Sequence, residues 1–258
     1  MDDSVRTFYD RLADDYHLLF ADWPASMVRQ AAALDRLIAS ELGSGPHNVR
    51  DCACGIGTQA IGLALLGHRV RATDLSPAAV ERAEREAAAL GARLSFGVAD
   101  LQRPATEDAG RFDVVLAWDN ALPHLPSNVD LRRAVTGMTD ALRPGGLFLV
   151  SIRDYDRLAE ERPGAEGPRV LDGAEGRRIA FQVWDWTDDG RTYRLHQFLV
   201  RQDGGAWRTD HFEAEYRALG RDELEAALRS AGLVEVRWHQ PEDAGFHQPA
   251  VTARRPRE

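Results

Sequence analysis

The stretch from Asp51 to Asp74 limits what this chain can fold into more than any other. Residues 49–53 read as a buried strand, and Gly55-Ile56-Gly57 as the turn that follows it. Residues 61–66 continue as a helix, and residues 70–73 form a second strand that ends on the carboxylate of Asp74. This is half of a βαβ unit, with glycines at its first turn and an acid at the tip of its second strand. A missing Cβ lets the backbone pass close to a ligand. An acid in that place can accept both hydroxyls of a ribose. The expected ligand is an adenosine compound.

Two classes of adenosine compound fit the glycines. Gly55-Ile56-Gly57-Thr58-Gln59-Ala60 matches the dinucleotide fingerprint, whose last position can be alanine, and would serve a nicotinamide-dependent oxidoreductase. Two acids point elsewhere. Asp51, just before the turn, can face a ligand ammonium group and would repel a pyrophosphate. Asp100, in Val98-Ala99-Asp100-Leu101 after the third strand, is placed for an adenine amino group. With these residues the chain resembles the class I S-adenosylmethionine-dependent methyltransferases. Their first motif is an acid, a small residue and Gly-x-Gly, as in Asp51-Cys52-Ala53-Cys54-Gly55-Ile56-Gly57. The resemblance runs over residues 45–155 and includes Phe112-Asp113-Val114-Val115-Leu116-Ala117 and Leu142-Arg143-Pro144-Gly145-Gly146-Leu147. It implies an α/β fold, a doubly wound Rossmann-like seven-stranded sheet. It also implies S-adenosylmethionine held by Asp51, Ala53, Gly55, Gly57, Asp74, Leu75, Asp100, Leu101 and Trp118.

Composition narrows the function classes. A chain of 258 residues suits one large domain or a domain with an insertion. A net charge of −9 argues against a general nucleic-acid or membrane-surface binder. No apolar run reaches the length of a membrane span. The acidic start, Met1-Asp2-Asp3-Ser4, has no signal-peptide core. Cys52 and Cys54 are too close in sequence for a relaxed disulfide and have no further cysteine as a metal co-ligand. They read as small core residues in a reducing cytoplasm. No metal site is expected, and a homo-oligomer stays open.

Around the central unit, residues 4–20 have helical spacing, with Val5, Phe8, Leu12, Tyr16 and Leu19 on one stripe. Asp22-Trp23-Pro24 breaks that helix, and a second covers residues 25–42. Residues 1–43 are expected to form a lid over the cofactor, as such segments do in class I methyltransferases, which makes Tyr9, Tyr16 and Trp23 candidate cofactor contacts. Ordinary packing is the alternative for each. Ser76-Pro77 opens a helix that ends at Gly91. Strands follow at 93–98, 113–118 and 147–152, with a helix at 131–142. Residues 157–176 read as a loop, and 178–186, 193–201 and 207–216 as an inserted antiparallel meander with hairpin turns. A helix from residue 219 to about 231 and an antiparallel pair, 234–240 with 248–254, close the sheet. The expected division is a core of 44–156 with 218–258, and an insert of 157–217 on the substrate side.

Three further stretches sharpen the resemblance. Trp118-Asp119-Asn120-Ala121-Leu122-Pro123-His124-Leu125-Pro126, Ile152-Arg153-Asp154-Tyr155-Asp156 and Phe246-His247-Gln248-Pro249 are similar to glycine and sarcosine N-methyltransferases. In that group the Asn and Arg of the first two motifs hold an amino acid's amine and carboxylate, which implies Asn120 and Arg153 here. A planar guanidinium suits a carboxylate, and His124 could take a proton near neutral pH. Loop capping by Asn120, an acid partner for Arg153 and structural bonding by His124 are the alternatives. The expected reaction is methyl transfer to a small carboxylate-bearing amine. O- or C-methylation of a natural-product scaffold is the runner-up, since Trp184, Trp186, Tyr193 and Trp207 could roof an aromatic acceptor.

Overall fold

The structure is a computed structural model that describes residues 3–103, 108–173 and 176–257, without the side chains of Asp3 and Asp203. Met1 and Asp2 of the expected lid segment, residues 174–175 of the expected loop and Glu258 lie outside it. The chain runs α1 (Asp3–Leu12), a 3₁₀ turn (Tyr16–Leu19), α2 (Trp23–Leu42), β1 (Asn48–Asp51), α3 (Thr58–Leu65), β2 (Arg69–Asp74), α4 (Pro77–Leu90) and β3 (Ser95–Val98). It continues through β4 (Phe112–Ala117), a 3₁₀ turn (Leu122–His124), α5 (Asn128–Ala141), β5 (Leu142–Ser151) and α6 (Tyr155–Glu161). After these come β6 (Ala165–Leu171), β7 (Arg178–Trp186), β8 (Thr192–Asp203), β9 (Ala206–Arg217), α7 (Arg221–Ser230), β10 (Val234–His239), α8 (Pro241–Ala244) and β11 (Ala250–Arg254).

Seven strands form one sheet in the order β10-β11-β5-β4-β1-β2-β3. β3, β2, β1, β4 and β5 pair in parallel, and β11 lies antiparallel between β5 and β10. Parallel strands need cover on both faces, and their apolar runs supply it. Val114, Leu116, Leu147 and Leu149 pack with Leu34, Leu37 and Ile38 of α2 and Leu63 of α3. The alternate residues, Val115, Phe148 and Val150, pack with Val135 and Met138 of α5 and Leu224 and Leu228 of α7. Three helix starts are fixed by side-chain caps: Asp22 accepts from Ala25 N–H, Ser76 from Ala79 N–H and Ser127 from Asp130 N–H. Ser127 is why α5 begins earlier than the apolar period indicates.

The second sheet is four-stranded and antiparallel, in the order β6-β7-β8-β9. Its inner face, with Trp184, Tyr193, Leu195, Phe212 and Tyr216, joins the cluster that contains Phe8 and Leu12 of α1. Three expectations are corrected here. The loop expected at 157–176 contains α6 and β6. All but one residue of β6 is exposed, so pairing with β7 defines the strand and no hydrophobic alternation marks it. The single helix expected at 4–20 is broken after Leu12. Asp15 turns to pair with Arg201 of β8, and the carbonyls of Leu18 and Phe20 accept from the Arg178 guanidinium. The strand expected at 147–152 starts earlier: residues 143–146 form the irregular start of β5, where the β4–β5 register shifts between Phe112 and Val114.

Candidate active site

A cleft opens at the carboxyl ends of β1, β2 and β4, where open α/β sheets take ligands. Tyr9, Tyr16, Ala53, Gly55, Asp74, Leu75, Leu101, Trp118 and His124 line it. The glycine turn is built for close approach. Gly55 and Gly57 have φ of +53° and +92°. A Cβ on Gly55 would meet no protein atom within 4 Å, whereas one on Gly57 would strike Ile61 at 2.6 Å. Gly55 thus leaves room at the cleft wall, and Gly57 lets α3 pack against the turn.

Asp74 sits at the tip of β2, and its two oxygens accept the backbone N–H groups of Gly55 (2.8 Å) and Ser76 (2.9 Å). Each oxygen keeps a second lone pair for a ligand hydroxyl. Burial pushes its carboxyl up, against those same backbone bonds. Asp51 is fully buried and outside the cleft lining. Its Oδ1 accepts from Ala53 N–H at 3.3 Å, and burial pushes the carboxyl up to about 7. Asp51 Oδ2 and the Trp118 indole N–H have no hydrogen-bond partner among the described residues.

Besides Asp51, three of the residues expected to touch the cofactor lie off this wall. Gly57 faces α3. Asp100 caps its own turn by accepting Gln102 N–H at 2.9 Å, and it lines a separate hollow with Arg50 and Met138. Trp23 donates to Thr58 Oγ1 at 2.9 Å and packs with Met27, Ile56 and Ile61. Its contact with the site runs through the first turn of α3. Conversely, Ile56, Thr58, Gln59 and Ala99 line the cleft without having been singled out. Their signal is position alone: they follow the glycine turn or the third strand directly.

The three outlying motif stretches meet beside this cleft. Asp119 and Asn120 have φ of +55° and +70°, a left-handed turn that Asp and Asn tolerate best among side-chain-bearing residues. It aims their backbone N–H groups at Ser151. Asn120 Oδ1 accepts Arg153 N–H at 3.1 Å, and Asn120 Nδ2 donates to the Tyr155 hydroxyl at 3.0 Å. Gln248 donates to Asp119 Oδ1 at 3.0 Å, and Ile152 N–H to the Pro249 carbonyl at 3.2 Å.

Arg153 faces an adjoining cleft of about 1010 Å³, with Trp184, Tyr216 and Gln248 on its walls. The guanidinium donates to the Tyr193 hydroxyl (3.1 Å) and Gln182 Oε1 (3.2 Å) and lies 4.7 Å from the centre of the Trp184 ring. Among the described residues no carboxylate pairs with it. These partners are 29–40 residues away in sequence. His124 is buried between Tyr9 and Tyr216. Its Nε2 shares a hydrogen bond of 2.9 Å with the Tyr9 hydroxyl. Burial, aided by the charge of Arg153 and opposed by the Glu215 backbone, pushes its imidazole down to about 3. His124 is therefore neutral at physiological pH and a weak base.

A doubly wound sheet, a glycine turn flanked by acids and an antiparallel last strand define a class I methyltransferase fold. The comparisons agree with it. Residues 49–146 match the family described as a methyltransferase domain. A glycine/sarcosine N-methyltransferase of Parasynechococcus marenigrum is 31% identical over 70% of this chain, which spans 66% of that enzyme's length. A magnesium-protoporphyrin O-methyltransferase of Rhodobacter capsulatus is 34% identical over 57% of this chain and 68% of its own. The crystal structure of Streptomyces venezuelae DesVI has a TM-score of 0.76 at 20% identity, covering 93% of this chain and 97% of that one. The chain belongs to the class I S-adenosylmethionine-dependent methyltransferases. S-adenosylmethionine is the cofactor, and the dinucleotide reading of the glycines is set aside. The cleft suits it, with spare acceptors on Asp74, the room at Gly55 and the unpartnered indole N–H of Trp118.

Proposed function

We propose that this enzyme transfers the methyl group of S-adenosylmethionine to the nitrogen of a small amine bearing a carboxylate, a glycine- or sarcosine-like acceptor. The observation that carries this reading is Arg153, a guanidinium without an acid partner among the described residues, at the carboxyl end of β5 and open to the second cleft. Asp74 would hold the ribose hydroxyls. Ala53, Gly55, Leu75 and Leu101 would form the nearby wall, with Asp51 and Asp100 acting from behind it. Tyr9 and Tyr16 would close over the cofactor from the N-terminal segment.

Methyl transfer is an in-line displacement, and bound S-adenosylmethionine supplies a methyl carbon already activated by a sulfonium. What remains for the chain is to bind, orient and desolvate. Tyr193, Gln182 and the Trp184 face fix the plane of Arg153, so its free N–H groups present a two-pronged site to a carboxylate. Asn120 spends its amide on Arg153 N–H and Tyr155, and so acts on the acceptor by positioning the anchor. The acceptor amine must arrive neutral. With its imidazole at about 3, His124 does not hold the released proton at neutral pH. Its part is to tie Tyr9 to the loop after β4.

The size and aromatic walls of the second cleft favour the runner-up, O- or C-methylation of a larger scaffold. A methyl-release assay over amino acids, amines and phenols separates the two. The proposal expects amino-acid turnover in the wild type. In Arg153→Lys, which keeps the charge and loses the fork, acceptor KM should rise while cofactor affinity holds. Arg153→Ala should lose nearly all activity. Methylation of phenols and of no amino acid, or unchanged kinetics in Arg153→Ala, rejects the proposal.

A further inference from the structure

The outer face of the four-stranded sheet carries a polar cluster that methyl transfer does not use. Strand alternation puts His196 of β8 on this face, with Glu213 directly opposite on β9 and His211 two residues away along β9. The candidate ligand atoms of these three residues all lie within 4.8 Å of one another. His196 Nδ1 is 2.9 Å from His211 Nε2 and 3.6 Å from a Glu213 carboxylate oxygen. The other ring nitrogen of His196 is 3.0 Å from Asp185 Oδ2, on β7.

That last contact sets the tautomer. A carboxylate only accepts, so His196 Nε2 carries a proton, and in the neutral ring, the form that binds a metal, Nδ1 is a bare lone pair. The 2.9 Å contact then places the His211 proton on Nε2, between the two rings. The ring planes are within 19° of each other, and His211 is stacked on Phe198 at 4.8 Å. Phe198 in turn stacks on Phe181, also at 4.8 Å. The two nitrogens are thus held facing each other by groups that do not take part in the contact.

We propose that His196 Nδ1, His211 Nε2 and a Glu213 carboxylate oxygen bind a divalent transition-metal cation of the Zn²⁺ type, with Asp185 orienting His196 from behind. Two imidazoles and one carboxylate, with solvent completing the shell, suit Zn²⁺ and its neighbours and not Mg²⁺ or Ca²⁺. A carboxylate–histidine–metal chain is the arrangement that fixes a ligating imidazole. At metal–nitrogen distances of about 2.0–2.1 Å in tetrahedral geometry the two nitrogens stand about 3.3 Å apart. The pair therefore opens by a few tenths of an ångström. The His211 proton moves to its own Nδ1 through solvent, which reaches this exposed ring, and no net proton is released. A bound cation would tie β8 to β9 and, through Asp185, to β7. The opposite face of those strands holds Trp184, Tyr193 and Tyr216 around Arg153.

The test is calorimetric titration of zinc chloride into the full chain, freed of metal and of any purification tag. One zinc per chain is expected, with a rise in the thermal unfolding midpoint. His211→Ala should abolish the binding, and Asp185→Asn should weaken it about 10- to 100-fold. His47→Ala, at the separate stacked His47–His68 pair, should leave it unchanged. Absence of zinc binding to the wild type overturns the proposal. So does affinity in His211→Ala or Asp185→Asn equal to the wild type, or loss of the site in His47→Ala.

Discussion

At the scale of single residues, the acids of the cofactor cleft divide their work by burial and by partner. Asp74 anchors the glycine turn through Gly55 N–H and keeps acceptor capacity toward the cleft. Replacing it with alanine removes the proposed ribose acceptor and releases the backbone N–H groups of Gly55 and Ser76 at once. A hydrogen bond to a charged group contributes roughly 1.5–3 kcal/mol, so affinity for S-adenosylhomocysteine should fall at least about tenfold in calorimetry. Unchanged affinity would remove Asp74 from the ribose site. Arg153 poses the opposite problem, a cation held by neutral partners. Tyr193, Gln182 and Trp184 satisfy part of its fork and fix its plane without neutralising it. An acid partner would have stabilised the free protein better and left no reason for a carboxylate ligand to bind.

At the scale of elements, the N-terminal segment is both wall and core. Leu12 is 1% exposed and packs with Phe8 and the inner face of the second sheet, while Tyr16 lines the cofactor cleft. Leu12→Ala should therefore cost about 2–5 kcal/mol of stability in denaturant unfolding. Tyr16→Ala should act mainly on cofactor affinity. If Leu12→Ala unfolds like the wild type, the segment is a detachable lid, as the sequence alone suggests. The aromatic stripe at helical spacing shows that these residues face something, and not whether it is ligand or protein. Trp23, on the same argument, turns to Thr58 and Ile61. The legible features were local ones: the βαβ unit, the Ser76-capped helix and the hairpins of the meander, each written in neighbouring residues. β6 was not legible because its residues are almost all solvent-facing, and its only warrant is the ladder with β7. The motif residues Asn120 and Arg153 could be singled out from sequence. Their partners are fixed by cross-strand register and chain reversal, which no local spacing encodes.

At the scale of the whole molecule, two buried groups at the cleft make stability respond to pH in opposite senses. Burial pushes the His124 imidazole from 6.5 down to about 3. Between those values the unfolded chain holds a proton that the folded chain lacks, so this residue lowers stability as pH falls through the window. Burial pushes the Asp51 carboxyl from 3.8 up to about 7. Between those values the folded chain holds the extra proton, so this residue lowers stability as pH rises. The windows overlap from 3.8 to 6.5, where the two slopes are of opposite sign, each at most about 1.4 kcal/mol per pH unit. There they largely cancel. Asp51→Asn removes the carboxyl titration and leaves that of His124. Urea unfolding of wild type and variant at about pH 4.5 and about pH 6.5 reads the difference, because every other titrating group is common to both. On acidification the variant should lose up to about 2–3 kcal/mol more than the wild type, the product of that slope and two pH units. Two curves that stay parallel across the window would mean that Asp51 keeps an ordinary carboxylate value in the folded chain. Its unpartnered Oδ2 would then lie in water and not in the dry layer behind the glycine turn.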